Sequence, residues 1–324
     1  VQTASWELLK NILFPWVVNP AFPLIVENLS KDTNEIRLSI ALVTRNRPES
    51  LERCLRSLRA QNVQPFEVII SDDSDAQYVS KVKSIAEQWD CHYISGPRRG
   101  LYANRNHAAL ACKGTHVRTM DDDHEFPEGH FDVVNKTVGI APKSIWIIGE
   151  YGEHPTASSR LGLPGEIQPR GFSGPPQDYD DCFAISDGAA IYPRQIFNTH
   201  YYLEVFNFGH LYLEFGARLK ALGYRIRFCS GTYIIHHYIS NGRSFNDMKV
   251  EQKSSFLSAY LTYNCYFPNL FKSMECLAWF AGNAALNSLK RKTASFNVSD
   301  FWITWRLGRK YKNRFRAAKY HQIV

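Results

Sequence analysis

Residues 37–48 read Arg-Leu-Ser-Ile-Ala-Leu-Val-Thr-Arg-Asn-Arg-Pro. The apolar run that closes at Val43 suits a buried strand, and Thr44 opens a polar break. Pro48 suits a first helical turn, where its missing N–H would have no partner in any case. Leu51, Cys54, Leu55 and Leu58 follow at i, i+3, i+4 and i+7, the stripe of an amphipathic helix. A strand, a polar turn and a helix in this order form half of a βαβ crossover.

The same alternation continues outward. Phe66 to Ser71 predicts a second strand, 79–89 a helix, His92 to Ser95 a third strand, Asn104 to Ala111 a helix and His116 to Met120 a fourth strand. Ile145 to Ile148, Tyr224 to Phe228 and Thr232 to Ile235 read as further strands, and a helix near Leu211 to Leu222 is stopped by Gly223. The fold class is therefore α/β, Rossmann-like, with a mostly parallel sheet flanked by helices and a helical C-terminal region. Three parts are expected: an N-terminal extension (1–35) rich in Trp, Phe and Pro, the α/β domain (36–248) and a helical basic region (249–324). Residues 152–176 hold ten Gly or Pro among 25 positions, and a loop of that length and composition predicts a lid rather than a packed element.

Composition narrows the class. With 324 residues, 44% hydrophobic and 21% charged, bulk disorder and fibrous repeats are excluded. No run of 18 uncharged apolar residues occurs, so a spanning helix is not expected. The N-terminal residues lack the charged and apolar regions of a signal peptide. Seven scattered cysteines without a CxxC pair argue for a reducing compartment, so the expected location is cytoplasmic. The net charge of +7 is uneven: ten Lys or Arg face one acid, Asp300, from Lys290 to the end.

Polar residues close three of the predicted strands: Thr44-Arg-Asn-Arg, Asp72-Asp73 and Asp121-Asp122-Asp123. In an open parallel sheet, ligands bind outside the carboxyl ends of the strands. Asp121 and Asp123 are two apart, so on an extended segment their carboxylates would share a face. Carboxylate oxygens are hard ligands that suit Mg²⁺ or Mn²⁺. His236 and His237 follow a later strand and could bring one imidazole to the metal or phosphate.

Taken together, residues 39–58, Val68 to Ser74, Gly100 to Ala108 and Met120 to Asp123 resemble the family 2 glycosyltransferases of GT-A fold. Residues 186–194, 213–224 and 235–237 extend the resemblance to the acceptor side. What it implies is sugar transfer from a nucleotide-sugar (UDP-, GDP- or dTDP-linked) to a glycan or lipid-linked acceptor, with inversion, aided by Mn²⁺ or Mg²⁺. Carried over, Thr44, Arg45, Asn46, Arg47 and Glu49 would border the nucleoside, and Asp73 or Asp72 would bind the base. Arg105 and Asn106 would lie near the ribose and diphosphate, and Asp122 is a further cofactor-binding candidate. Asp121, Asp123 and His237 would hold the metal. The acidic pair that begins the family's acceptor helix is replaced here by Leu211 and Tyr212. Glu214 remains as the expected base, unless it forms an i,i+4 salt bridge with Arg218; His210 and Asp187 are the other candidates.

The tail from Phe296 interleaves aromatic with basic residues. It suits either a helix packed on the body with a solvated basic face or an amphipathic helix on the inner face of a membrane. Nothing else in the sequence supports nucleic acid as a partner. Two other functions fit the same residues: a catalytically silent nucleotide-sugar-binding or scaffold protein, and a nucleotidyltransferase.

Overall fold

The computed structural model describes residues 35–153, 161–163, 165–174, 176–206, 209–237, 248–290 and 295–317. The expected N-terminal extension lies, but for Glu35, outside them. Strand β1 (Leu38–Thr44) is buried along its whole length. Its side chains alternate between two cores, Leu38, Ile40 and Leu42 on one face and Ala41 and Val43 on the other. This two-sided burial is what its unbroken apolar run encodes. Helix α1 (Pro48–Arg59) buries the foreseen stripe of Leu51, Cys54, Leu55 and Leu58, with Pro48 in its first turn.

Strands β2 (Glu67–Asp72), β3 (His92–Ser95), β4 (His116–Asp121) and β5 (His124–Glu125) follow, with helices α2 (Ala76–Gln88) and α3 (Leu101–Ala111) between them. Then come α4 (His130–Ile140), β6 (Ile145–Glu153), β7 (Leu161–Gly162), β8 (Ile191–Pro193), α5 (Leu211–Ala221) and β9 (Ile226–His237). The nine strands form one sheet in the order β3-β2-β1-β4-β8-β6-β9-β5, with β7 beside β6. β1, β2, β3, β4, β6 and β9 run parallel; only the short β5, β7 and β8 run against them. The carboxyl ends of all the longer strands therefore meet along one edge. Helices α1, α2 and α4 cover one face, and α3 and α5 the other.

The two strands expected at 224–228 and 232–235 are one strand. β9 pairs with β6 throughout, and the register slips between Ile148 and Gly149, where Cys229 and Tyr233 become the partners. Residues 230–232 are the extra length of a bulge, the polar interruption that the sequence reading took for a turn.

Three C-terminal helices follow: α6 (Met248–Leu261), α7 (Leu270–Leu289) and α8 (Val298–Ala317), with a π-helical turn (Thr262–Tyr266) after α6. Phe256, Tyr260, Phe280 and Phe315 belong to the same buried cluster as Val43 of β1, so the packing is continuous across position 248. No helix among the described residues is long and apolar enough to cross a membrane. All seven cysteines are free thiols, six of them buried.

Part of the Gly/Pro-rich segment departs from expectation. Residues 154–160, 164 and 175 lie outside the described residues. Residues 165–174, however, are packed rather than open. Ile167 is buried and bridges Ser173, the Tyr263 hydroxyl donates to the Ile167 carbonyl, and Ser255 Oγ donates to the Gly171 carbonyl at 2.6 Å. Gly171 has φ +86°, and a Cβ there would collide with Ser255 Oγ and crowd Phe280. The segment packs mainly by backbone and glycine, with Ile167 as its buried apolar side chain, so its composition did not announce it.

Candidate active site

The carboxyl edge collects one cluster of charge from five strand ends. At the end of β1, Thr44 donates its hydroxyl to the Asp122 carboxylate. Arg47 pairs with Asp122 and, at 3.0 Å, with Asp123. Asp122 is fully buried and its carbonyl also accepts from Ser50 Oγ at 3.2 Å, so it fastens the Asp121–Asp123 turn to α1 instead of facing a ligand. Asn46, at φ +56°, exchanges hydrogen bonds with Asp75 (2.6 and 2.8 Å) and receives the Ser74 hydroxyl as acceptor of its N–H at 2.8 Å. Arg45 is exposed, 3.8 Å from Asp75, and Glu49 is exposed and paired with Lys81.

At the end of β2, Asp72 accepts from the Ser74 N–H (2.8 Å) and the Tyr93 hydroxyl (3.1 Å). Its neighbour Asp73 accepts the Arg98 N–H at 2.8 Å, and burial raises its pKa. Gly96 passes so close that a Cβ would strike Asp73 Oδ1. Of the two acids, Asp73 keeps its second carboxylate oxygen unassigned to the turn.

Helix α3 supplies Arg105, buried to 1% exposure. It grips Asp121 through Nε (3.2 Å) and Nη2 (2.8 Å) and reaches Asp187 through Nη1. Burial by itself would raise the Asp121 pKa, but the Arg105 guanidinium outweighs it and holds the carboxyl at about 2. The next residue, Asn106, points elsewhere: its amide exchanges two hydrogen bonds of 2.9 Å with the Tyr202 backbone. It clamps α3 to the loop after β8.

The chain turns between Asp121 and Asp123, and the nearest partners of the two carboxylates differ. Asp121 faces Arg105, whereas Asp123 faces Arg47 and two imidazoles. His236 Nε2 lies 3.4 Å and His124 Nε2 3.9 Å from Asp123 Oδ1. Ligand atoms of Asp123, His124 and His236 all fall within 4.8 Å of one another, a spacing that could hold a metal ion. Both ring nitrogens of His124 are buried without a hydrogen-bond partner among the described residues. Burial, helped by the adjacent His236 ring, keeps this imidazole neutral, the form that ligates metal. His236 Nδ1 lies 3.4 Å from Glu150 at the end of β6, which can orient it.

Of the expected set of Asp121, Asp123 and His237, this group includes Asp123. His237 Nε2 instead meets Glu125 at 2.7 Å. Adjacent strand residues face opposite sides, so only one of His236 and His237 could turn to Asp123. The sequence reading also missed His124, though it directly follows the three aspartates and pairs with His236 across β5 and β9.

The acceptor-side candidates separate sharply. Asp187 is 31% exposed and paired with Arg105 at the cluster. Its neighbour Gly188 has φ +80°, and a Cβ would lie 3.0 Å from the His124 ring and 3.3 Å from Arg105. Glycine thus lets the Asp187 loop pass directly over the site. Glu214, the expected base, is wholly buried. It accepts from Arg218 Nε at 2.9 Å and from the Tyr266 hydroxyl. His210, at φ +53° before α5, stacks on Tyr212 with centroids 6.1 Å apart and lies 3.6 Å from Glu251.

Comparison with known proteins agrees with this architecture. The chain is 30% identical over 107 residues to the uncharacterized glycosyltransferase YwdF of Bacillus subtilis (strain 168), covering 33% of this chain and 40% of that one. Its fold resembles that of GalNAc-T7 crystallised with UDP, GalNAc and Mn²⁺ (TM-score 0.60, 14% identity, 84% of this chain and 57% of that chain). It also resembles S. aureus TarS 1–349 in complex with UDP-GlcNAc (TM-score 0.56, 16% identity, 76% and 72% covered). These are GT-A folds, as the sheet order and helix layers are here. The model of Glycosyl transferase family 2 matches residues 39–200, half of the sequence and the whole of the clustered edge up to Asp187, and the chain belongs to that family.

Proposed function

We propose that this chain transfers a sugar from a nucleotide-sugar donor to an acceptor hydroxyl on a glycan or lipid-linked glycan. The observation that carries the reading is the Asp123–His124–His236 group beside the Arg105–Asp121–Asp187 chain at one sheet edge. UDP-linked donors are the first to test, because the fold relatives hold UDP and UDP-GlcNAc. Residues 36–248 would carry the transfer, with the helices of 249–324 bracing its acceptor side.

One carboxylate with two imidazoles suits Mn²⁺ better than Mg²⁺, which prefers an oxygen shell. Such an ion would offset the charge that builds on the leaving diphosphate. Asp73, set in its tight turn against Gly96, would accept from the donor base. Asp187 is the base in this reading. Its carboxylate takes the acceptor proton as the acceptor oxygen bonds to the anomeric carbon. The bond from that carbon to the diphosphate oxygen breaks, and its electron pair leaves with the nucleotide. Arg105 orients Asp187 through Nη1. The sealing of Glu214 favours a silent scaffold only if Asp187 also fails.

Calorimetric titration of UDP with and without Mn²⁺ tests the site. His124→Ala should weaken Mn²⁺-dependent UDP binding at least about tenfold. Unchanged metal dependence in both His124→Ala and His236→Ala would refute the assignment.

A further inference from the structure

Helix α7 carries two charged residues in twenty, Lys272 and Glu275. One side packs on α6 through Ser273, Cys276, Phe280 and Ala284, spaced three or four apart. A surface helix of a globular protein normally turns polar residues outward. This one does not. Phe271 is 82% exposed, Leu289 80%, Leu270 71% and Met274 59%. Contiguous apolar surface of this kind marks an interaction site.

The patch continues into α8. Asn287 Nδ2 donates to the Phe296 carbonyl at 3.0 Å, and the Val298 N–H donates to Ser288 Oγ at 3.2 Å. These bonds hold the end of α7 against the start of α8, where Trp302 and Ile303 are 49% and 57% exposed. Farther along α8 the outward residues become basic: Arg306, Arg309 and Lys310 are exposed. The single acid of α8, Asp300, is buried and held by Lys249 (3.0 Å) and Lys253 (2.9 Å), so it neutralises none of them.

We infer that the α7–α8 hairpin is a docking face for an anionic lipid bilayer. Apolar side chains enter the acyl boundary, Trp302 suits the headgroup level, and the basic turns meet anionic headgroups. A second copy of the chain fits less well, because face-to-face packing along α8 would oppose Arg306, Arg309 and Lys310 to their own like charges. Nucleic acid would use the basic turns and leave the apolar face of α7 exposed. The inference is independent of the glycosyl-transfer reading and concerns a surface apart from the clustered edge.

Co-sedimentation of the full chain with vesicles tests it. One set is phosphatidylcholine alone, and the other contains an equal part of phosphatidylglycerol. The chain should pellet with the anionic set and stay in solution with the neutral one. Each basic residue near such a surface contributes about fivefold, so the triple variant Arg306→Glu, Arg309→Glu, Lys310→Glu should partition about 100-fold less. Phe271→Ser with Leu289→Ser removes exposed side chains only and should reduce partitioning more than about tenfold. Both variants should keep the parent melting temperature. Equal partitioning to both vesicle sets, or no effect of either variant, overturns the inference. So does a dimer by light scattering that Leu289→Ser dissociates while vesicles capture nothing.

Discussion

Two buried arginines hold carboxylates in this fold, and they do opposite things with them. Arg218 grips Glu214 four residues away on α5, and the Tyr266 hydroxyl closes the same carboxylate. Phe215 and Phe315 lie against its guanidinium at 4.8 and 5.9 Å, and both members of the pair are at most 2% exposed. Arg105 is equally buried, but its partners Asp121 and Asp187 are 18% and 31% exposed and stand at the strand edge. The chemistry of the two groups is the same, and access separates them. A carboxylate sealed among aromatic rings can only hold helices together; one that opens at the edge can also exchange a proton.

The largest effect should come from breaking the sealed pair. Glu214→Ala leaves the Arg218 charge buried without its carboxylate, a loss of about 3–5 kcal/mol. Urea denaturation of the purified chain measures it. Replacing both members with apolar residues of similar volume, Glu214→Leu with Arg218→Met, should recover most of that loss, because neither charge then needs a partner. A cost below about 1 kcal/mol for Glu214→Ala would mean that water reaches the pair and that α5 is not sealed.

Asp187, the more exposed partner of Arg105, should respond in activity and hardly at all in stability. Asp187→Asn keeps the volume and removes the basic oxygen, so turnover should fall by about 10²-fold or more. Affinity for UDP with Mn²⁺ and the melting temperature should both stay near those of the parent. Near-normal turnover would send the search for a base to His210, which has Glu251 behind it at 3.6 Å.

The contrast also explains what the sequence could and could not tell. The β1 to β4 half was readable because its signals are local. An apolar run ends in a polar turn, a stripe follows at helical spacing, and Asp121 to Asp123 close the fourth strand. The i,i+4 pairing of Glu214 with Arg218 was equally visible as spacing. What the spacing could not show was Tyr266, 52 residues on, arriving to close the carboxylate. His236 was hidden for a similar reason. Which of two adjacent histidines faces Asp123 depends on the register of β9 against β5 and β6, set by a bulge at 230–232. For the tail from Phe296 the sequence left a solvated basic face and a membrane-surface helix both open, and the apolar outer side of α7 came only with the structure.

A smaller effect concerns Asp121 and pH. Its folded pKa of about 2 lies below the ordinary 3.8, so the shift stabilises the fold above the unfolded value. That stability, about 2 kcal/mol, is lost as pH falls from about 4 to 2. Asp121→Asn should therefore be less stable than the parent at neutral pH and should converge with it in acid. Parallel stability curves across that range would show that Arg105 draws its compensation from Asp187 instead.

The smallest effect belongs to a third arginine pair, which removes burial from the comparison altogether. Arg99 Nε and Nη2 contact the two Glu204 oxygens at 3.1 and 3.0 Å, a bidentate geometry as good as that of Arg105 with Asp121. The side chains are 63% and 40% exposed, however, so water and salt screen the attraction, and ordering two long side chains opposes it. Arg99→Ala should change stability far less than Glu214→Ala, and the difference should shrink in about 1 M salt, where the screening length falls to about 3 Å. Turnover should be unaffected. If Arg99→Ala cost as much as Glu214→Ala, bidentate geometry and not enclosure would set the strength of these pairs, and access could not be what divides the structural arginine from the one at the edge.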